Sequence, residues 1–398
     1  MTPADFGEEL KRWRLQRKVT QAQTARAVSV SRATIAQWET GTHLPSAENA
    51  RLLDIHLNAG QKLVVLAEKA RGPQRQRAPH MLVAAGEISV QEAFRKVGQA
   101  LAAELMFDEE GRPAGWRHNL QQKDAPRTAL STAYGIKALL IVGDPHVDLH
   151  ALEHNLRHMR AGSGGWLRQY QQEPRPEITA TVLDALFRIG TPLSVDEALS
   201  LMKDSMDGFS RTRPFVLSNV LQTVNRLRPD SPLAASLVED LLKTRRDFGG
   251  VLLWPEKQEP GLAIHMQEPS VVHTARALVA LQSSMHTQDN PELQDAVAQA
   301  TSWLVDQSDD NGVYEELVRS HLTIRHFTSA WVALALASSS PSQVPVERLS
   351  AALKVMWSRY DPDLGLWAWG NGDLPIWMTH NAVAALQATA YAHLSSGL

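Results

Sequence analysis

The chain has 398 residues, of which 43% are hydrophobic and 21% charged, and a net charge of −3. That length is enough for two or three domains with a large buried core, and the charge taken alone does not mark a nucleic-acid binder. With 0 Cys it has neither disulfides nor thiolate metal ligands, and with no apolar run of membrane-spanning length and no export leader a cytoplasmic location is expected, with no membrane partner.

Charge is unevenly placed along the chain. Residues 1–72 hold 11 Lys and Arg against 7 Asp and Glu, a surplus of +4 that leaves −7 for the remainder. A basic head on an acidic body lets only one end approach phosphates. Within that head, Phe6, Leu10, Trp13 and Leu15 form a helical stripe over residues 5–18. Thr20 then offers an N-cap to a short helix from Gln21 to Val28, where Ala22, Ala25 and Ala27 allow close packing. Ser29-Val30 reads as a turn. Ser31 caps a third helix from Arg32 to about Glu39, Gly41 ends it, and Pro45 prevents its continuation.

The stretch TQAQTARAVSVSRATIAQWETGTHLP resembles the Cro/C1-type (XRE family) helix-turn-helix. The matching positions are Thr20-Gln21, Ala25, Val30-Ser31, Thr34-Ile35, Trp38-Glu39, Gly41 and Pro45, within roughly the first 65 residues. Thr24 stands where the family usually has Leu, and Ser29 where it usually has Gly, which implies a somewhat weaker domain of the same kind. The resemblance implies a double-stranded DNA operator as partner and binding as a homodimer. A recognition helix presents short polar and long donor side chains to the major groove. Ser31, Arg32, Ala33, Thr34 and Gln37 fill that role, with Ile35, Ala36 and Trp38 facing inward. Arg32 suits guanine and Gln37 adenine, while Gln21 suits a phosphate beside the start of the second helix.

The head is expected to span residues 1–70. An Arg- and Pro-containing linker, RGPQRQRAPH, follows at 71–80. A connecting segment at 81–110 includes a helix from Ser89 to Phe107, with Ala93, Phe94, Val97, Leu101 and Leu105 on one side.

From residue 111 to 398 the chain repeats itself. Gly followed by a bulky residue recurs at Gly115-Trp116, Gly165-Trp166, Gly208-Phe209, Gly250-Val251, Gly312-Val313 and Gly365-Leu366. Ala- and Leu-rich helices follow, with Thr seven residues before Leu at Thr132, Thr179, Thr274 and Thr379. A period in this range signals a repeat architecture of loop, inner helix, connection and outer helix. The loops resemble the Gly-Gly-Trp-like repeats of the α/α toroid of terpenoid cyclases and protein prenyltransferases, through Gly164-Gly165-Trp166, Phe248-Gly249-Gly250 and Gly365-Leu366-Trp367. The expected fold is all-α: a helix-turn-helix domain followed by a toroid of about six helical hairpins. An open α-solenoid is the alternative, although its usual period is shorter and lacks the Gly-Trp loop.

The chemistry of those enzymes does not carry over. The nearest acidic cluster, Asp306, Asp309 and Asp310, lacks the Asp-x-Asp-Asp spacing of protonation-initiated cyclases, no Asp-rich magnesium motif is present, and without Cys the prenyltransferase zinc site is not formed. His146, His150, His154 and His158 recur every four residues, a metal-binding spacing that a solvated His face explains equally simply. Paired acids at a suggestive spacing are not seen. The expectation is therefore a non-enzyme with no cofactor and no metal. Polar residues at equivalent inner-helix starts, together with the Trp-rich final third, suggest a ligand pocket at Trp254, His273, His326, Trp331, Trp377, His380 and Asn381. Met266 and Met378 are further candidates for its lining. The reading is a DNA-binding transcription regulator that senses a lipid-like or isoprenoid small-molecule effector. A helical repeat that binds a protein or peptide, and an α/α-barrel enzyme with a DNA-binding head, remain as alternatives.

Overall fold

A computed structural model describes residues 3–28, 30–42, 44–45, 47–57, 59, 62–70, 88–143, 147–168, 173–207, 209, 211–256, 268–287, 290–307, 316–319, 322–340, 342–369 and 372–395. The expected linker at 71–80, together with Ser29, His146, Gly208, Met266, Asp309, Asp310 and Gly312-Val313, lies outside them. The chain divides into two compact units, Met1–Met81 with Leu317–Ile324, and Leu82–Glu316 with Arg325–Leu398.

Among its described residues the first unit holds the helices α1 (Pro3–Gln16), α2 (Gln21–Ala27), α3 (Arg32–Glu39), α4 (Ala47–Leu57) and α5 (Lys62–Ala70). Local sequence sets their starts. Thr20 and Gln23 form a reciprocal capping box on α2, and the Ser31 hydroxyl accepts from the Thr34 amide to cap α3. Phe6, Leu10, Ala25, Ile35, Trp38, Leu53 and Leu63 meet in one core. Of the three alanines expected to pack in α2, Ala25 is buried but Ala27 is exposed. Thr24 is buried with its hydroxyl lacking a hydrogen-bond partner, the polar cost of replacing an apolar core residue.

The second unit opens with α6 (Val90–Ala103), capped by Ser89. The chain leaves this helix four residues before the expected Phe107, because Met106–Phe107 (β1) pairs in a hairpin with Pro113–Gly115 (β2). Then follow α7 (Ala129–Val142), α8 (Leu149–His158), α9 (Pro176–Arg188), α10 (Val195–Met206), α11 (Pro214–Leu227) and α12 (Pro232–Lys243). A hairpin of β3 (Arg246–Phe248) and β4 (Val251–Leu253) precedes α13 (Val271–Gln282) and α14 (Pro291–Gln307). The chain then forms the hairpin β5 (Glu316–Arg319) and β6 (Leu322–Arg325), most of which belongs to the first unit, and continues in the second with α15 (Thr328–Ala337) and α16 (Val346–Trp357). The hairpin β7 (Tyr360–Asp361) and β8 (Leu366–Trp367) leads into the last helix, α17 (Ile376–Ser395).

Helices α7, α9, α11, α13, α15 and α17 each pack on the next, and α17 packs back on α7. This ring closes, so the body is an α/α toroid rather than an open solenoid. The outer helices α8, α10, α12, α14 and α16 lie against it, and α6 packs on α7 and α17 as the sixth. The seam between first and last repeats is hydrogen-bonded: Asn119 Nδ2 donates to Asp373 Oδ1 (2.8 Å), and the Leu374 amide donates to Asn119 Oδ1 (2.9 Å).

The repeat seen in the sequence has a physical basis in four buried Trp residues. The indole N–H of Trp116, Trp166, Trp254 and Trp367 donates to Leu101, Leu156, Leu241 and Met356, a carbonyl in the last turn of the preceding outer helix, at 2.7–3.1 Å. Carbonyls at a helix end lack the usual partner four residues on, and those of Leu156, Leu241 and Met356 also accept the amide three residues later, so the indole adds a second donor there. The backbone amide of each of these Trp residues donates to a Thr hydroxyl in the following inner helix, at Thr132, Thr179, Thr274 and Thr379. Gly115 is needed at the first such loop, since its φ is +123° and a Cβ would meet Thr132 Oγ1 at 2.1 Å.

Candidate functional site

In the first unit, Ser31, Arg32, Ala33 and Gln37 are exposed on α3 and Thr34 is half-buried, while Ile35 and Trp38 are buried beneath them. The Ser31 and Thr34 hydroxyls hydrogen-bond each other at 2.8 Å. Glu39 at the far end of α3 accepts from Arg14 of α1 (3.1 Å) and from Gln21 Nε2 (2.9 Å). Gln21 therefore uses one of its two amide hydrogens to fix α3 against the domain. Glu39 also holds Arg14 above the usual guanidinium range, through a hydrogen bond that outweighs burial.

In the toroid, the repeated Thr residues point outward to the Trp loops. A residue two positions on is turned about 200° around the helix, toward the ring axis. Those positions are Tyr134, Thr181, Arg276 and Asn381. Burial raises the Tyr134 hydroxyl above its usual range, and Arg276 and Thr181 beside it partly offset this. The Arg276 guanidinium stacks over Trp331 (4.2 Å to the ring centre) and lies 4.9 Å from Phe215. Burial, partly offset by Tyr134, pulls Arg276 down to about 10. Glu177, in the first turn of α9, is 8% exposed; one carboxylate oxygen accepts from Arg175 at 3.1 Å and the other has no hydrogen-bond partner. Tyr134 and Lys137 are half-buried.

The expected pocket residues do not all come together. His273 and His326 meet with rings 5.3 Å apart, and His273 Nδ1 is 2.6 Å from the Ser270 hydroxyl. His380 pairs with Asn381 (3.2 Å) and sits 5.1 Å from the Tyr134 ring. Trp331 stacks on Arg276, and Trp377 lies 5.8 Å from Trp369. Trp254 stands apart, because it is fully buried in the wall as one of the loop anchors. Burial holds both His273 and His380 well below the usual imidazole range, with nearby cations adding to the effect. Sequence reasoning missed Tyr134, Glu177 and Arg276. The offset from the repeated Thr would have found Tyr134 and Arg276.

The His stripe forms no metal cluster among the described residues. Its described members are solvent-exposed on α8, where His154 and His158 border a surface cavity of about 430 Å³ with Arg157, Arg160, Trp166 and Glu197. No described helix is long and apolar enough to cross a membrane.

Residues 5–66 match the family model described as a helix-turn-helix domain. No curated protein matches the chain. Among solved structures, the chain is similar to a family 76 glycoside hydrolase from a bovine Bacteroides thetaiotaomicron strain, with a TM-score of 0.52, 9% identity and 78% of each chain covered. It is also similar to the α-1,6-mannanase of Salegentibacter sp. HEL1_6, with a TM-score of 0.54, 10% identity, and 76% of this chain and 100% of that one covered. A third is an inactive variant of that mannanase, changed at two adjacent aspartates, in complex with α-1,6-mannotriose, with a TM-score of 0.54 and 10% identity over the same shares.

Identity this low shows the fold alone, and that fold is the α/α toroid. Two expectations are corrected. These solved structures, to which the chain is similar, are glycoside hydrolases rather than the expected terpenoid cyclases or prenyltransferases. The expectation of a non-enzyme does not stand either, because the toroid is shared with hydrolases, and inferring no chemistry from the absence of cyclase and prenyltransferase motifs tested the wrong enzymes. The described first turns of the inner helices carry one carboxyl, Glu177, rather than an adjacent pair.

Proposed function

We propose that the chain is a DNA-binding regulator of the Cro/C1 (XRE) kind, cytoplasmic and dimeric, whose toroid binds an amphipathic small molecule at the inner-helix starts. The observation that carries the first part is the exposed row Ser31, Arg32, Ala33 and Gln37 on a capped helix fixed by Glu39. The second part rests on the aromatic rings and buried polar groups along the axis: Trp331, Trp377, Tyr134, Arg276, His273 and His326. Aromatic walls with a few convergent polar groups suit an amphipathic ligand. Occupancy would favour one placement of the paired DNA-binding heads and so change operator affinity.

Selection from random duplexes tests this reading. A defined motif should emerge, and Arg32→Ala should cost about 1–3 kcal/mol at one base pair within it. Recovery of random sequence, or equal loss on every sequence, would reduce α3 to a phosphate contact.

A second reading, a toroid acting on a sugar, is favoured by two buried carboxyl groups, Glu177 and Glu256. Glu177 opens α9, and Glu256 follows the Trp254 anchor on the segment that leads into α13. Glycoside hydrolysis generally uses two carboxyls across the scissile bond. Release of reducing sugar from an α-1,6-linked mannan, lost in Glu177→Gln, would establish it; no release by either protein would remove that substrate.

A further inference from the structure

At the C-terminal ends of the inner helices the ring axis carries a charge cluster with no role in the DNA-binding surface or the inner-helix starts. Asp184 of α9 is 5% exposed, and three cations from three inner helices surround it. Lys137 of α7 reaches Oδ2 at 2.7 Å, while Arg226 of α11 (2.7 Å) and Arg188 of α9 (3.1 Å) both reach Oδ1 through Nε. Burial raises the Asp184 carboxyl, but the three cations hold it well below the usual carboxylate range, so it is ionised. One carboxylate balances one cation, which leaves two positive charges in excess. The further group that interacts with Lys137, Asp184 and Arg188, His380 of α17, supplies no negative charge.

Gathering like charges in a half-buried position is unfavourable unless an anion joins them. The cluster is also reachable: the Arg226 side chain is 45% exposed and that of Arg188 28%. On α11, one turn before Arg226, the Gln222 amide nitrogen is buried with no hydrogen-bond partner. A buried donor without an acceptor is costly, and an oxygen-rich ligand would relieve it. Guanidinium groups suit planar or tetrahedral oxyanions, and an excess of two charges matches a dianion.

We infer that the C-terminal end of the toroid axis is an anion site that takes a phosphate dianion, free or as a monoester headgroup, between Arg188 and Arg226 and beside the Lys137–Asp184 pair. The inference is independent of any ligand at the inner-helix starts.

The test is calorimetric titration of the full chain with inorganic phosphate and with glycerol phosphate at constant ionic strength. The expected result is one site per chain, weakened about tenfold or more by Arg226→Gln and by Arg188→Gln, the loss typical of one charge-assisted contact. Arg32→Ala, on the DNA-binding surface, should bind phosphate as the parent does. Tighter binding of the ester would assign the site to a headgroup, and tighter binding of the inorganic ion to free phosphate. Phosphorus NMR line broadening on the unsubstituted protein gives the same readout where a variant folds poorly. Absence of binding, or binding unchanged in both glutamine variants, overturns the assignment. Loss confined to Arg32→Ala would place the phosphate on the DNA-binding head and overturn it as well.

Discussion

Trp254 and Arg276 carry opposite lessons about single residues. Trp254 reads from its sequence neighbourhood as a ligand contact, yet its indole satisfies the Leu241 carbonyl. Trp254→Phe should therefore destabilise the body by about 0.5–1.5 kcal/mol in urea unfolding, because the Leu241 carbonyl loses one of its donors while keeping Thr244. Arg276, within VVHTARALVALQ, reads as an ordinary helix residue, and only the ring places it over Trp331. A lone charge in an apolar helix gives no sign of facing an axis unless the outward face is already known. His273 and His380 give a signed prediction. Burial depresses both in the folded state, so between their folded values and about pH 6.5 the unfolded chain binds more protons. Their neutral burial thus favours folding above about pH 6.5, and stability falls as pH drops below it, by up to about 1.4 kcal/mol per pH unit for each group. In urea titrations from pH 7 to 5, His273→Gln should flatten that slope, and an unchanged slope would assign the pH dependence elsewhere.

Within the elements, the Gly-Trp loops and recurrent Thr residues were legible because their spacing repeats. The reason for the spacing was not, since it lies in hydrogen bonds between a loop, the outer helix before it and the inner helix after it. The strands escaped notice because each has two to four residues, too few to show alternation. Helix α7 offers a sharp test of packing against propensity. Gly135 lies mid-helix, where Ala would ordinarily gain about 1 kcal/mol. Its added Cβ, however, would meet the Trp116 ring at 2.5 Å. Gly135→Ala should therefore lose about 1–3 kcal/mol by overpacking. In a Trp116→Leu background the penalty should shrink, and additivity between the two changes would show that they do not touch.

For the molecule as a whole, the helix-turn-helix was the most legible part, since its caps, core and turn are set within a short stretch. Ring closure was expected only through the likeness of the Gly-Trp loops to those of a toroid, because the seam that makes it, Asn119 meeting Asp373 and Leu374, spans most of the chain. Closure predicts cooperative loss. Removing α17 from the end of an open solenoid would leave the remaining repeats folded. Here it deprives both α7 and α15 of a neighbour, so a chain ending at residue 375 should lose the single sharp urea transition of the body. A residual transition of similar steepness would show that the other repeats stand without closure.

The contact of α6 with α17 carries one more consequence. The outer helix that begins the toroid lies against the inner helix that finishes it, so the order in which the hairpins are strung is a matter of convenience rather than architecture. A circularly permuted body, joined from the end of α17 to the start of α6 by a flexible bridge and reopened between α10 and α11, should fold to the same ring.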